Sequence, residues 1–531
     1  MKSFHLAAAW AAAIPLSLPV WAQSGVDAPV KSLGMVTISG GQPTSLPTQV
    51  PTTMEGITGA QIGQAINATD SEDALKYFPS LLVRKRYIGD YNHAILSSRA
   101  SGTGNSARSA VYADGVLLSN FLGNGVGGLS FPPRWGMVTP EEIERVDVMY
   151  GPFSAAYPGN SVGAVVDYVT RMPTRFEAHG TLGHVSQPFS LYGTQATYRA
   201  WQASASAGNK SGDWSWFLNF NHTHSQGQPL TFATRLLSSG TPGAAGTPVT
   251  GAVPDRNNAN APIYILGAGT QYDTQQDHIK AKLAYAFSST LSAAYTLGVW
   301  RNSAQGRAVS YLRNAAGQVV NSGPINIDGR SFAAVTGADF ALSDENLTHY
   351  MHGLSIKSRS MGVFDWEIAG SLYDYAKDQK RQNSAANTLP AAAQGGPGTL
   401  ADGGGTGWSQ LALKGIWRPG GIQGAHIVDF GFQQESYRLR YLTSNLAGNY
   451  LTDSPAVPQG PGSVASDVGG RTRLRSLYAQ DAWAFAPRWK AVLGARAEHW
   501  TASDGLTRIP SAVPAINTSW PQRAASHISP K

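Results

Sequence analysis

The chain has 531 residues and no cysteine, which excludes disulfides, thiolate metal sites, a cysteine nucleophile and lipid attachment through cysteine. Charged residues make up 14%, against about 25% in an ordinary soluble protein, while 59 glycines and 10% aromatics are both plentiful. The net charge of +7 is modest for this length and no dense Lys/Arg stripe is present, which argues against a nucleic-acid partner. Beyond the N-terminus no window holds the roughly 18 uncharged apolar residues of a membrane-spanning helix. Few charges, many aromatics and no spanning helix fit a transmembrane β-barrel, and they fit a large exported β protein as well.

In chain order, the first element is an export signal. Lys2 precedes an apolar stretch over 4–20, interrupted by Pro15 and Pro19, and Val20-Trp21-Ala22 offers small residues where a signal peptidase reads. Cleavage is expected after Ala22, so 1–22 is a signal peptide and 23–55 an exported N-terminal segment. Within it, Leu33, Gly34, Met35, Val36, Thr37, Ile38 and Ser39 form a short extended apolar string followed by a Pro/Thr-rich loop over 41–53. The stretch 23–31 leaves no room for a further folded domain before that string.

Residues 56–171 carry mixed α/β signals. Helical spacing over 59–75 includes Asp70, Glu72 and Asp73 and stops at Tyr77-Phe78-Pro79. Strands are expected over 81–86 and 108–115, the second ending in an Asp114-Gly115 turn before 116–118 resumes. Gly123-Asn-Gly-Val-Gly-Gly128 lacks the Lys-Ser/Thr of a phosphate-binding loop and is taken as a glycine loop. Next comes a charged alternating strand, Ile143–Tyr150, broken by Gly151-Pro152 and a small-residue turn over 154–160. A β-branched run over 162–170 follows.

The strings DALKYFPSLLVRKR, VYADGVLL and EEIERVDVMYGPFSAAYPGNSVGAVVDYVTRMP together resemble the plug domain of TonB-dependent outer-membrane receptors of the siderophore-receptor kind. The resemblance covers 56–173, with Gly163-Ala164 where a glycine pair is common. It implies that Leu33–Ser39 is a TonB box, which would pair by β-strand addition with the periplasmic partner TonB. It also implies a plugged barrel in the outer membrane that imports a scarce nutrient, most often a ferric siderophore.

From 174 to 531 the hydrophobic period is two. Trp214, Trp216, Leu218 and Phe220 alternate with more polar neighbours, as do Ile279, Ala281 and Leu283 against His278, Lys280 and Lys282. About eleven strands are expected, near 177–186, 192–208, 213–225, 276–287, 290–302, 345–358, 363–380, 406–418, 425–442, 471–485 and 489–501. Short turns (209–212, 288–289, 359–362, 419–424, 486–488) alternate with long connections (226–275, 303–344, 381–405, 443–470), as outer-membrane barrels require. The first outer connection, 187–191, is the short member of the long set. Plugged transporters have about 22 strands, so the fold class is a transmembrane antiparallel β-barrel about half present, preceded by a globular α/β plug. The chain is expected to be a fragment ending in an outer loop.

No catalytic constellation is visible, so an enzyme is not expected, and neither is a cofactor. His222 and His224 share one strand face and could bind metal, but they continue a lipid-facing register into the interface. Candidate substrate residues lie where loops would converge over the plug apex: Arg86, Tyr87, Tyr91, His93, Arg99, Phe121 and Trp135. Cations and aromatics together suit an anionic metal chelate; the alternative is that the arginines pair with plug and barrel carboxylates. Other cargoes (cobalamin, another metal chelate, a carbohydrate), a passive porin-like channel and a secreted β-sandwich are the rival assignments.

Overall fold

The computed structural model describes residues 46, 50, 52–92, 94–99, 108–119, 121–122, 132–151, 154–456 and 462–531. The expected signal peptide, residues 33–39 and the glycine loop 123–128 lie outside the described residues. No described helix is long and apolar enough to cross a membrane.

An inner domain comes first. Its main sheet has the order Met54–Thr58, Ile143–Tyr150, Ala164–Thr170, Ser109–Ala113, Val116–Leu117. The first three run antiparallel, and Ser109–Ala113 lies parallel to Ala164–Thr170. Both faces are apolar and buried: Val111, Val146, Val148, Val166, Tyr168 and Leu117 are wholly enclosed. Asp114 (φ 50) and Gly115 (φ 81) make the left-handed two-residue hairpin turn that Asp-Gly favours. Leu81–Arg84 pairs separately with Ile95–Ser98.

The single helix expected over 59–75 is two pieces. Gly59–Ala65 is closed at its start by a capping box between Thr58 and Gln61. It ends at Ile66, where the backbone turns extended (φ -131, ψ 123); Asp73 Oδ2 then accepts from the backbone N–H of Thr69 (2.8 Å) and Asp70 (3.2 Å), which starts the 3₁₀ turn Ser71–Leu75. Local side-chain capping overrides the helical spacing here.

Around this domain runs a sixteen-stranded sheet. Four members are short: Thr231–Leu236, Val253–Arg256, Gly398–Asp402 and Ile516–Trp520. The other twelve form the wall: Glu177–Leu191, Thr194–Ser211, Trp214–Gln226, Pro262–Ala286, Leu291–Ser310, Ser343–Ser358, Phe364–Asn383, Gly407–Trp417, His426–Leu446, Val464–Ala486, Trp489–Ile509 and Arg523–Pro530. Every consecutive pair is antiparallel. Side chains sort by parity. Leu218, Phe220, Ile279, Leu283, Leu354, Leu411, Leu413 and Leu477 face outward and exposed, while Asn219, Asn221, His278, Lys280, Ser476 and Gln480 face inward and are covered by the inner domain. The sheet is open, with Glu177–Leu191 at one end of the strand order and Ile516–Trp520 at the other.

Three expectations about the wall are corrected. Residues 187–191 are strand, turned back by Tyr192 at φ 51. The strand expected over 276–287 begins at Pro262 and the one expected over 471–485 begins at Val464, because strands continue past the apolar band, where outward side chains need not be apolar. The chain ends in a strand, Arg523–Pro530, paired from Ala502↔Arg523 to Ala495↔Pro530, making twelve. Ile528 is its one large apolar residue, too little for an alternating signal.

The long connections are built structures. Within 226–275 and 303–344, Thr241–Pro242, Arg330–Val335, Gly323–Ile327 and Thr247–Pro248 form a four-stranded sheet. Leu266, Leu312, Ile325, Ile327, Phe332, Val335 and Phe340 form its core, and Arg235 clamps Asp339 bidentately at 2.7 and 3.0 Å. A second small core joins Leu400, Leu446 and Tyr450.

Candidate functional site

The inner domain meets the wall along a polar seam that can be followed up one strand, Pro262–Ala286, from its short-turn end. Its inward residues fall at every second position, and Lys282, Lys280, Gln276 and Tyr272 each meet the inner domain. Lys282 Nζ lies 3.1 Å from Asp114 Oδ2 and donates to the Thr170 carbonyl (3.0 Å) and Oγ1 (2.9 Å). Burial works against the Asp114 charge, but Lys282, Lys280 and the Thr170 hydrogen bonds outweigh it and hold its pKa below the ordinary value.

Two positions up, Lys280 Nζ donates to Glu142 Oε1 at 2.8 Å, with both side chains fully enclosed. Glu142 also accepts from the Thr139 N–H (2.9 Å). Burial nevertheless dominates over Lys280 and the hydrogen bonds, and its carboxyl is pushed up to about 6. Higher still, Gln276 donates to the Gly89 carbonyl (2.9 Å), and Tyr272 stacks on Tyr87 with ring centroids 5.5 Å apart.

Near the long connections the seam becomes aromatic and charged. The Tyr91 hydroxyl donates to Glu345 Oε2 (2.7 Å), and Lys380 Nζ holds the other oxygen at 2.9 Å. Lys380 also donates to the Tyr272 hydroxyl at 3.3 Å. Its side chain stays 31% exposed, against 3% for Glu345. Wall rings continue around the apex. Trp300 packs on Tyr91 (5.3 Å), His349 stacks on Tyr375 (3.9 Å), Trp408 stacks on Tyr373 (4.4 Å), and Tyr437 packs against Phe121 (5.8 Å).

Of the seven candidates chosen from sequence, Arg86, Tyr87, Tyr91 and Phe121 face this aromatic wall. Arg86 is spoken for in part: it grips Asp90 through Nε (2.8 Å) and Nη2 (3.1 Å), with about a third of its side chain exposed. The expectation that arginines pair with carboxylates therefore holds at this position. Trp135 is not presented to the lumen; it is 3% exposed, and its indole N–H donates to the Ala94 carbonyl at 2.6 Å. Arg99 is exposed, with its backbone N–H bonded to the Ser80 carbonyl (3.1 Å). His93 lies outside the described residues. Sequence reasoning missed Glu345, Lys380 and Tyr272. Lys280 and Lys282 did carry a signal, since two lysines alternating with lipid-facing residues need acidic partners within the barrel.

His222 and His224 face outward, as their register required. Each pairs with an aspartate, Asp277 and Asp273 respectively, at 2.8 Å. Among the described residues no group of three or more possible metal ligands is assembled.

Comparison with known proteins places this geometry. The TonB-dependent receptor plug domain family model matches residues 47–165. No curated protein sequence matches the chain. The unliganded ferric citrate transporter FecA superposes with a TM-score of 0.54 at 16% identity, over 90% of this chain and 59% of that one. The copper transporter OprC gives 0.53 at 13% identity, over 91% and 60%. The ferric yersiniabactin uptake receptor FyuA from Yersinia pestis gives 0.51 at 12%, over 90% and 61%. At these identities the likeness is one of fold, and the chain spans about three-fifths of the length of those structures.

Proposed function

We infer that this chain, a TonB-dependent receptor by its plug domain and its plugged antiparallel barrel, serves active uptake of a scarce nutrient across the outer membrane, with a ferric siderophore as cargo. The cargo assignment rests on one observation: the ammonium of Lys380, on a side chain about a third exposed, and the guanidinium of Arg86 stand at the plug apex beside Tyr87, Tyr91 and Tyr272. Cations set in an aromatic rim suit an anionic, ring-bearing metal chelate. The neighbours whose fold it shares carry ferric citrate, ferric yersiniabactin and copper by their names. The copper transporter keeps a second metal cargo open.

Export by a signal peptide ending at Ala22 and engagement of TonB through residues 33–39 belong to the same proposal. The outer membrane offers no nucleotide fuel, so force must arrive through a peptide that a periplasmic partner can pair with. A passive channel would need neither that peptide nor a plug bolted to the wall by Lys280 and Lys282.

The test is growth of the source bacterium under iron limitation, with the intact full-length gene present or deleted, on a panel of ferric chelates and on copper. Loss of uptake of one ferric chelate supports the assignment. If uptake of every ferric chelate is unchanged, the siderophore cargo is wrong.

A further inference from the structure

Two histidines on the outer face of the wall are held in a way that transport does not use. On the strand Trp214–Gln226 the outward positions read Trp214, Trp216, Leu218 and Phe220, then His222 and His224. Outward positions of the facing strand read Leu283, Ala281 and Ile279, then Asp277, Gln275 and Asp273. Both strands change together from apolar to polar, so the histidines stand where the apolar band gives way to water.

Each imidazole is fixed through one nitrogen. His222 Nδ1 and Asp277 Oδ1 are 2.8 Å apart, as are His224 Nε2 and Asp273 Oδ1. An ionised carboxylate only accepts, so the bonded nitrogen carries the proton and the other keeps its lone pair. Those other nitrogens, His222 Nε2 and His224 Nδ1, have no hydrogen-bond partner among the described residues. A carboxylate behind the proton-bearing nitrogen is the arrangement that orients metal-binding histidines and raises their basicity.

Spacing and access fit a shared ion. Side chains two apart on a strand share a face with about 6.6 Å between them, a gap two imidazoles can span through one ion at bonds of about 2.0–2.1 Å. Trp201 closes one side, its ring 4.8 Å from that of His222. The histidine side chains remain 25% and 30% exposed, so an ion arriving from water can reach them.

Charge points to the class of ion. Arg301 faces Asp277 in register, and Arg307 lies 3.7 Å from Asp273. Two guanidinium groups thus offset the two acids, and what the site has left to offer is neutral nitrogen. Imidazole nitrogen suits copper, nickel and zinc, whereas calcium and magnesium require oxygen, and copper(II) stands highest in the affinity order. A third outward histidine, His426, has the same kind of partner, Asp481 at 2.7 Å. The positions two away from it are Gly424 and Val428, so it has no second imidazole to chelate with.

We propose that His222 and His224 form a two-histidine chelate for copper(II) on the outer face of the wall, with Asp277 and Asp273 orienting the rings and water completing the coordination. The site lies outside the lumen and goes beyond the cargo proposed above.

The full chain, folded in detergent and checked by heat-sensitive gel mobility, is titrated with copper(II) chloride in a non-chelating buffer. Binding is read by equilibrium dialysis and electron paramagnetic resonance. The chain is expected to bind one copper(II) ion more than His222→Gln combined with His224→Gln, and that ion should show splitting from two imidazole nitrogens. His224→Gln alone should leave a one-nitrogen spectrum with at least about tenfold weaker binding. Asp273→Asn combined with Asp277→Asn should keep the ion at about tenfold or more lower affinity, and His426→Gln should leave it unchanged. Millimolar calcium chloride should not displace it; displacement would mean an oxygen site built on the aspartates and overturn the proposal. Equal copper in the parent chain and the double histidine variant, with both at the folded mobility, also overturns it, as does loss of the ion with His426→Gln.

Discussion

The pair formed by Glu142 and Lys280 makes an asymmetric prediction. Removing Lys280 (Lys280→Met) leaves a buried carboxyl that can escape by taking a proton. At pH 7.5 protonation from an unfolded value of 4.5 costs about 4 kcal/mol, at 1.36 kcal/mol per unit. With Lys280 present the same group, held at about 6, already carries about 2 kcal/mol of that. Lys280→Met is therefore limited to about 2 kcal/mol at pH 7.5.

The pH dependence has a definite sign. Because burial raises the folded pKa of Glu142, its favourable contribution is complete below 4.5 and is lost as pH rises through about 6. At pH 5.5 both proteins carry a mostly protonated carboxyl, and the cost of Lys280→Met falls toward zero. Glu142→Gln strands the Lys280 ammonium, whose one side-chain hydrogen bond among the described residues is to Glu142, and a stranded buried charge costs about 3–5 kcal/mol. Acid gives it no escape. Urea titration of the detergent-folded chain, with brief proteolysis to score unfolding of the inner domain, at pH 7.5 and 5.5, checks both. Equal costs for the two variants, or a Lys280→Met cost that does not shrink at pH 5.5, would refute the reasoning.

Four further outcomes are expected. Gly136→Ala places a Cβ into the Trp300 indole, an overpacking worth about 1–3 kcal/mol, and the same urea titration should show it. Tyr91→Phe removes a charge-assisted bond to Glu345 and should loosen the plug apex by about 1.5–3 kcal/mol, read as faster hydrogen exchange over Ile95–Ser98; Lys380→Met should weaken capture of the anionic chelate about tenfold by direct titration. In the outer subdomain, burial opposes the Asp339 charge, but Arg235 and Thr336 hold its pKa below the ordinary carboxylate value. That contribution is present above the unfolded value and lost as pH falls through the folded one. Exchange over Thr231–Leu236 should therefore rise in acid, and Arg235→Met should remove the pH effect.

Much of the fold could be read in advance where local chemistry and burial agree. Ile143–Tyr150 has the bounds its alternation predicted, and the Asp114-Gly115 turn is where its φ demands put it. Reading failed where one of the two was silent. Residues 262–275 leave the apolar band while remaining in strand, so no hydrophobic period marks them. At 66–70 the helical spacing continues, but Ile66 is extended and the Asp73 carboxylate holds the backbone of Thr69 and Asp70 at the start of a separate turn. The candidate site was legible only on its plug side. Tyr91 could be nominated from its neighbours in sequence, but its partner Glu345 is 254 positions away, and no local pattern announces a contact that depends on strand count and stagger.

The core shared by the two long connections bears on the heat of cargo capture. Loops that close by folding over a ligand lose their backbone freedom at the moment of binding, and they announce it with a large negative heat-capacity change. Here Leu312, Ile325, Ile327, Phe332 and Phe340 pack into one core of their own, so that ordering belongs to folding. Capture beneath this part of the rim should proceed with a small heat-capacity change and an association rate set by access and charge, not by waiting for flaps to form.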